Sequence, residues 1–172
     1  MPLTKTTMKE SPLLYKFNFK SEDDWELEDD VVMGGESKGH FRLTEEGHGL
    51  FYGEISTANN GGFSSIVHTL EEIIDVDGYR AFTVRLRGDG RPYTFRVRGS
   101  ADQEYFHELE FPTTGKWETI EVPFQDMHAR HHGEPVDVPN FAGGPVYEVQ
   151  FLVSGRQNDD FEVILNNFAY TA

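Results

Sequence analysis

From Phe82 to Phe124 apolar and polar residues alternate with little interruption, and that period of two confines the chain to extended strands. Phe82, Val84 and Leu86 oppose Thr83, Arg85 and Arg87. After the Gly88-Asp89-Gly90 turn, Tyr93, Phe95 and Val97 oppose Thr94, Arg96 and Arg98. Tyr105, His107, Leu109 and Phe111 then oppose Phe106, Glu108 and Glu110. Beyond Thr113-Thr114-Gly115, Ile120, Val122 and Phe124 oppose Trp117, Thr119 and Glu121. Short alternating segments parted by glycine turns describe antiparallel sheet with one face buried.

The flanking segments extend the pattern. Strands are predicted over Leu13 to Phe19, at Phe41 and Leu43, over Leu50 to Thr57 and over Phe63 to Leu70. Tyr147 to Val153 and Phe161 to Leu165 follow, and the apolar phase then slips to Phe168 and Tyr170, which predicts a bulge at Asn166-Asn167. Glu71 to Gly78 reads as a polar connection with room for one helical turn, and Gln125 to Pro145 as a long loop rich in His, Pro and Gly. No helix of ten or more residues is indicated. The expected fold is all-β, an antiparallel β-sandwich or jelly roll of roughly ten short strands. Residues 1–12 are expected to be a flexible tail and 13–172 one domain, with much of its core drawn from 14 Phe residues.

Charge and composition narrow the function. A formal net charge of -15 repels phosphate backbones and anionic lipid, which argues against nucleic acid and membrane surfaces, although a local basic stripe would escape that rule. No apolar run suffices for membrane insertion. With no cysteine there is no disulfide, thiolate nucleophile or Cys-ligated zinc. Met1 to Ser11 lacks an apolar core and arginine, so neither a secretory signal nor a mitochondrial presequence is expected, and the expected location is cytoplasmic.

Arg85, Arg87, Arg96 and Arg98 occupy the polar faces of two successive strands, which suggests a hairpin bearing four cations, with Glu108, Glu110 and Glu121 on the strands beyond. Such rows are either a solvated charge ladder or a binding face with Phe106 and Trp117 as exposed rings. Arg85, Arg96, Glu108 and Trp117 are the candidate contacts. His128, His131 and His132 with Asp126 and Glu134 resemble a metal cluster only superficially, lacking Cys and helical spacing. Asp23, Asp24, Asp29 and Asp30 match no defined calcium loop and read as an acidic edge. His107 alternates toward the core. No nucleophile elbow, P-loop or H-E-x-x-H motif is present, and the many carboxylates single out no glycosidase pair, so no catalytic residue, cofactor or metal is expected.

Two glycine-rich segments remain: Asp29 to Ser37 and Phe51 to Ser65. By their residues alone they are hairpin turns or a ligand-facing rim, with Asp30, Gly34, Gly35, Asn59, Asn60, Gly61 and Gly62 as its signature. Asp30-Val31-Val32-Met33-Gly34-Gly35-Glu36-Ser37 resembles the first signature of the complex I intermediate-associated protein 30 family. Phe51-x-Gly53-x-Ile55-Ser56 leading to Asn60-Gly61-Gly62-Phe63-Ser64-Ser65 resembles its second. Trp117 with Val122-Pro123-Phe124, and Phe161-Glu162-Val163 with Phe168-Ala169-Tyr170, are similar to later segments of the same family. The resemblance implies a galactose-binding-domain-like jelly roll and a non-catalytic assembly factor. Its partner would be a protein such as a respiratory-complex subunit or intermediate. The same fold class implies the alternative of a carbohydrate-binding module.

Overall fold

A computed structural model describes residues 11–29, 36–58, 62–155 and 158–172. Its strands are β1 (Leu13–Lys16), β2 (Glu26–Asp29), β3 (Lys38–Leu43), β4 (Gly49–Ile55), β5 (Phe63–Asp75), β6 (Ala81–Arg87) and β7 (Tyr93–Arg98). They continue as β8 (Phe106–Phe111), β9 (Trp117–Pro123), β10 (His128–His131), β11 (Glu134–Pro135), β12 (Pro145–Ser154) and β13 (Asp159–Thr171). Single 3-10 turns lie at Ser21–Asp23 and Phe124–Asp126.

Two antiparallel sheets pack face to face, the expected β-sandwich. A six-stranded sheet runs β3-β4-β13-β6-β9 with β1 also on β13, and a seven-stranded sheet runs β11-β10-β8-β7-β12-β5-β2. Between them lies an aromatic core. Tyr93 stacks on Phe151 at 5.3 Å between ring centroids and Phe95 on Phe168 at 5.2 Å, while Phe82 meets Phe95 edge-on. All five rings are fully buried. Such pairs add about 0.5–1.5 kcal/mol each beyond the area they bury.

The alternation correctly divides inward from outward residues in β6 to β9, and β13 carries the predicted irregularity, a register shift between Leu165 and Asn167. Three expectations are corrected. Glu71 to Asp75 continue β5 as a strand, with a break in its register against β12, rather than forming a helical turn. The segment Gln125 to Pro145 contains β10 and β11 as well as a 3-10 turn. The expected Arg85/Arg96 hairpin does not form: β6 lies in the six-stranded sheet and β7 in the other. Asp89 pins this crossover by accepting from Arg91 N at 3.2 Å, Tyr93 OH at 3.1 Å and Glu162 N of β13 at 2.9 Å. Gly88 packs directly against the Thr113 side chain, where a β-carbon would collide. Residues 1–10 of the expected tail lie outside the described residues, whereas Pro12 O accepts from Tyr170 N at 3.0 Å.

Candidate functional site

Separating β6 from β7 puts the four candidate contacts on opposite outer faces. Arg96 and Glu108 meet across β7 and β8, and Arg85 and Trp117 meet across β6 and β9. The structure therefore makes two pairs and does not bring the pairs together. Glu121 likewise lies apart from Glu108 and bonds Arg80 in the six-stranded sheet.

On the seven-stranded sheet the register aligns His128, Glu108, Arg96, Gln150, Val67 and Glu26 in one row across six strands. The middle of this outer face is a bonded lattice. Arg96 Nη1 lies 3.6 Å from Glu108 Oε1, and its Nε donates to Gln150 Oε1 at 2.8 Å. Gln150 Nε2 donates to Glu148 Oε2 at 2.8 Å, and Arg98 Nη2 donates to Glu148 Oε1 at 3.1 Å. Glu148 and Gln150 are 6 % and 4 % exposed, unusual for polar side chains on an outer sheet face. Burial pulls the Arg96 guanidinium below its ordinary value, an effect opposed chiefly by Glu108 and then Glu28. Phe106 carries two guanidiniums over its ring, Arg96 at 4.7 Å and Arg98 at 5.3 Å. Each lattice carboxylate is held by an arginine or Gln150. Glu148 and Gln150 were not singled out by the sequence, and Arg98 only as one of four cations, although Glu and Gln inside Val146-Tyr147-Glu148-Val149-Gln150-Phe151 are the sign of a polar row on a buried strand.

On the six-stranded sheet, Trp117 is half-buried with the Arg85 guanidinium 5.7 Å from its ring centre and His48 edge-on at 5.1 Å. Asn166 Nδ2 lies 3.1 Å from His48 Nε2. Arg85 also donates to Thr119 Oγ1 at 3.4 Å, and Arg87 Nε to Gly115 O at 3.3 Å.

The two glycine-rich signatures meet inside the fold. Ser37, the last residue of the first, accepts from Ser56 N at 2.8 Å and donates to Ser56 O at 3.1 Å. Ser64 donates to Asp29, and Ser65 Oγ donates to Glu28 O at 2.8 Å. Of the seven rim residues, Gly62 alone is described. It has φ +138° and lies so close to Gly155 that a β-carbon would stand 2.9 Å from that carbonyl. Asp30, Gly34, Gly35, Asn59, Asn60 and Gly61 lie outside the described residues. The described part of the signature is thus a clasp of hydroxyl and backbone bonds joining strand ends.

His131 and His132 stack at 4.0 Å, with His131 Nδ1 engaged by Glu104 O at 2.6 Å, while His128 sits opposite Glu108. Half-buried His107 bonds Pro139 O at 3.0 Å and packs its ring against Phe141. Among the described residues no three His, Asp or Glu side chains are grouped as a metal's ligands would be, and no helix is long and apolar enough to cross a membrane.

Residues 15–165 match the family model described as Complex I intermediate-associated protein 30. The chain is 21% identical over 159 residues to the mouse protein "Complex I intermediate-associated protein 30, mitochondrial", covering 80% of this chain and 48% of that one. It therefore spans about half the length of the curated relative it matches. Solved structures of similar fold include the family 11 carbohydrate-binding module of a Clostridium thermocellum cellulosomal cellulase, with TM-score 0.65 at 13% identity over 96% of both chains. A module of the same family and organism in complex with a mixed-linked tetrasaccharide gives TM-score 0.63 at 14% identity, over 87% of this chain and 89% of that one. An agarase gives 0.61 at 12% identity, over 95% of this chain and 25% of that one. These likenesses establish the β-sandwich fold.

Proposed function

The chain belongs to the complex I intermediate-associated protein 30 family, and from that premise we propose that it is a non-catalytic protein-binding domain acting as an assembly factor. Its partner is a respiratory-complex subunit or assembly intermediate, bound on the outer face of the seven-stranded sheet at Arg96 and Glu108. The observation that carries this reading is the lattice around those two residues. Its charges are paired and held in place before any partner arrives, which lowers the ordering cost of binding. Guanidinium and ring presented together suit a protein surface with mixed polar and apolar groups. The mouse relative is named as mitochondrial, and cell fractionation of a tagged chain tests whether this chain shares that location.

A carbohydrate-binding module is the second reading, favoured by the sugar-binding proteins that share the fold. A sugar stacks on a bare aromatic face, however, and the Phe106 ring has arginines over it. Protein binding is therefore the stronger reading. In affinity capture of the tagged chain, at a temperature where its melting curve shows the variant folded, Arg96→Glu lowers recovery of respiratory-complex subunits about tenfold, equivalent to about 1.4 kcal/mol. Undiminished recovery removes this face, and binding of one sugar class on a glycan array with a shift in Trp emission establishes the second reading instead.

A further inference from the structure

The opposite face carries a feature that neither the sequence nor the family explains. Strand register places Arg42, Leu50, Ile164, Arg87 and Trp117 side by side in one row across β3, β4, β13, β6 and β9. Arg85 stands on the same face of β6, two residues before Arg87. Among the described residues the ion pairs engage Arg80, Arg91, Arg96, Arg98 and Arg130. Among the described residues Arg42, Arg85 and Arg87 have no carboxylate within 4.0 Å. They contact Tyr52, Trp117 with Thr119, and Gly115 O respectively. Glu162 is in the next row, opposite Tyr52. In a chain of 30 acidic and 15 basic residues, this is a cationic stripe without internal counter-charge.

Between the outer arginines, Leu50 and Ile164 are half-buried neighbours. Three strand spacings separate Arg42 from Arg87, roughly 14 Å. We propose that this face is a second docking surface, for a protein segment that presents carboxylates on either side of an apolar centre. Complementarity of charge selects the carboxylates, and Leu50 with Ile164 selects the apolar centre. A phosphate backbone fits less well, because it offers nothing apolar to the central pair and meets a net charge of -15 at longer range. The proposal rests on the protein-binding reading for the kind of partner, and it uses a face separate from the Arg96–Glu108 lattice.

An unbiased library of displayed 16-residue peptides, panned on the full chain, tests it. The expected result is enrichment of acidic peptides with a central apolar cluster, whose synthetic versions quench Trp117 emission and weaken as salt rises. Arg42→Glu with Arg87→Glu lowers their affinity at least about tenfold, equivalent to about 1.4 kcal/mol, whereas Arg96→Glu leaves it unchanged. Arg42 and Arg87 are solvent-facing, so an unchanged melting temperature confirms that the double variant folds, and the mostly buried Arg96→Glu is compared at a temperature where its melting curve shows it folded. Enrichment of basic or uncharged peptides, no enrichment, or affinity indifferent to the double reversal overturns the proposal. So does tighter binding of single-stranded oligo-dT than of the peptides, or dimerisation of the chain that the double reversal abolishes. Loss of binding in Arg96→Glu alone assigns the peptides to the first face and likewise overturns this one.

Discussion

Asp29 joins the two sheets through Gly39: its Oδ2 accepts from Gly39 N at 3.0 Å while its Oδ1 accepts from Ser64. One carboxylate on the edge of the seven-stranded sheet thus grips the edge strand of the other. Gly39 also faces Gly53 across β3 and β4, with φ +155° at Gly53 and the Lys38 carbonyl against it.

A β-carbon at Gly39 would collide with Ser64 Oγ and crowd Asp29. Gly39→Ala should destabilise by about 1–3 kcal/mol, the usual cost of overpacking, measured as a lower urea midpoint. Ser64→Ala removes the colliding oxygen. The double variant should therefore lose less than the sum of the singles, and strict additivity would show that the clasp is not the cause.

The lattice on the seven-stranded sheet should respond unequally along its length. Glu148→Ala strands Arg98 and the Gln150 amide, with a cost of about 2–4 kcal/mol, since the carboxylate side chain is 7% exposed. Arg130 is 39% exposed and 3.8 Å from Glu108, so Arg130→Ala should change stability by no more than about 0.5 kcal/mol. Equal losses in chemical denaturation would contradict the lattice as drawn.

Phe151 is fully buried and touches the rings of Tyr93, Phe51, Phe111 and Phe168. Phe151→Ala should cost about 3–5 kcal/mol, lost transfer energy plus the cavity left between the sheets. A melting temperature within a few degrees of the parent would count against this packing.

High pH should weaken the fold. Burial, then the hydrogen bond to Asp24, pushes the Tyr15 phenol from 10.0 up to about 12, and burial drives Tyr93 further in the same direction. Both stay protonated in the fold at pH values where they ionise in the unfolded chain, so the unfolded state releases its protons first. The stability they supply is complete below about pH 10 and declines toward about pH 12 as far as Tyr15 is concerned. Urea midpoints across that window should fall for the parent and fall less for Tyr15→Phe. Identical pH profiles would remove Tyr15 from the account.

Much of the fold was legible because alternation reports directly which side chains face inward. Phe82, Phe95, Val122 and Phe151 are buried as their positions predict, and even the slip at Asn166-Asn167 announces the bulge in β13. Strand order was not legible. Nothing in Gly88-Asp89-Gly90 distinguishes a hairpin from a change of sheet, because the distinction lies in where Asp89 finds its donors, and one of these is Glu162, 73 residues away. The Arg96–Glu108 pair was readable since β7 and β8 are consecutive and adjacent. The row from Arg42 to Trp117 was hidden, because it depends on β13 lying between β4 and β6.

That central position of β13 has a kinetic consequence. The six-stranded layer acquires its spine only when residues 159–171 arrive, so β4 and β6 wait for a strand made after both of them. Folding must close long loops before long-range pairing repays them, which places it in the slow, millisecond-to-second class. A ribosome-bound chain lacking those residues should hold unpaired strand borders open to chaperones and should yield to protease far sooner than the released one.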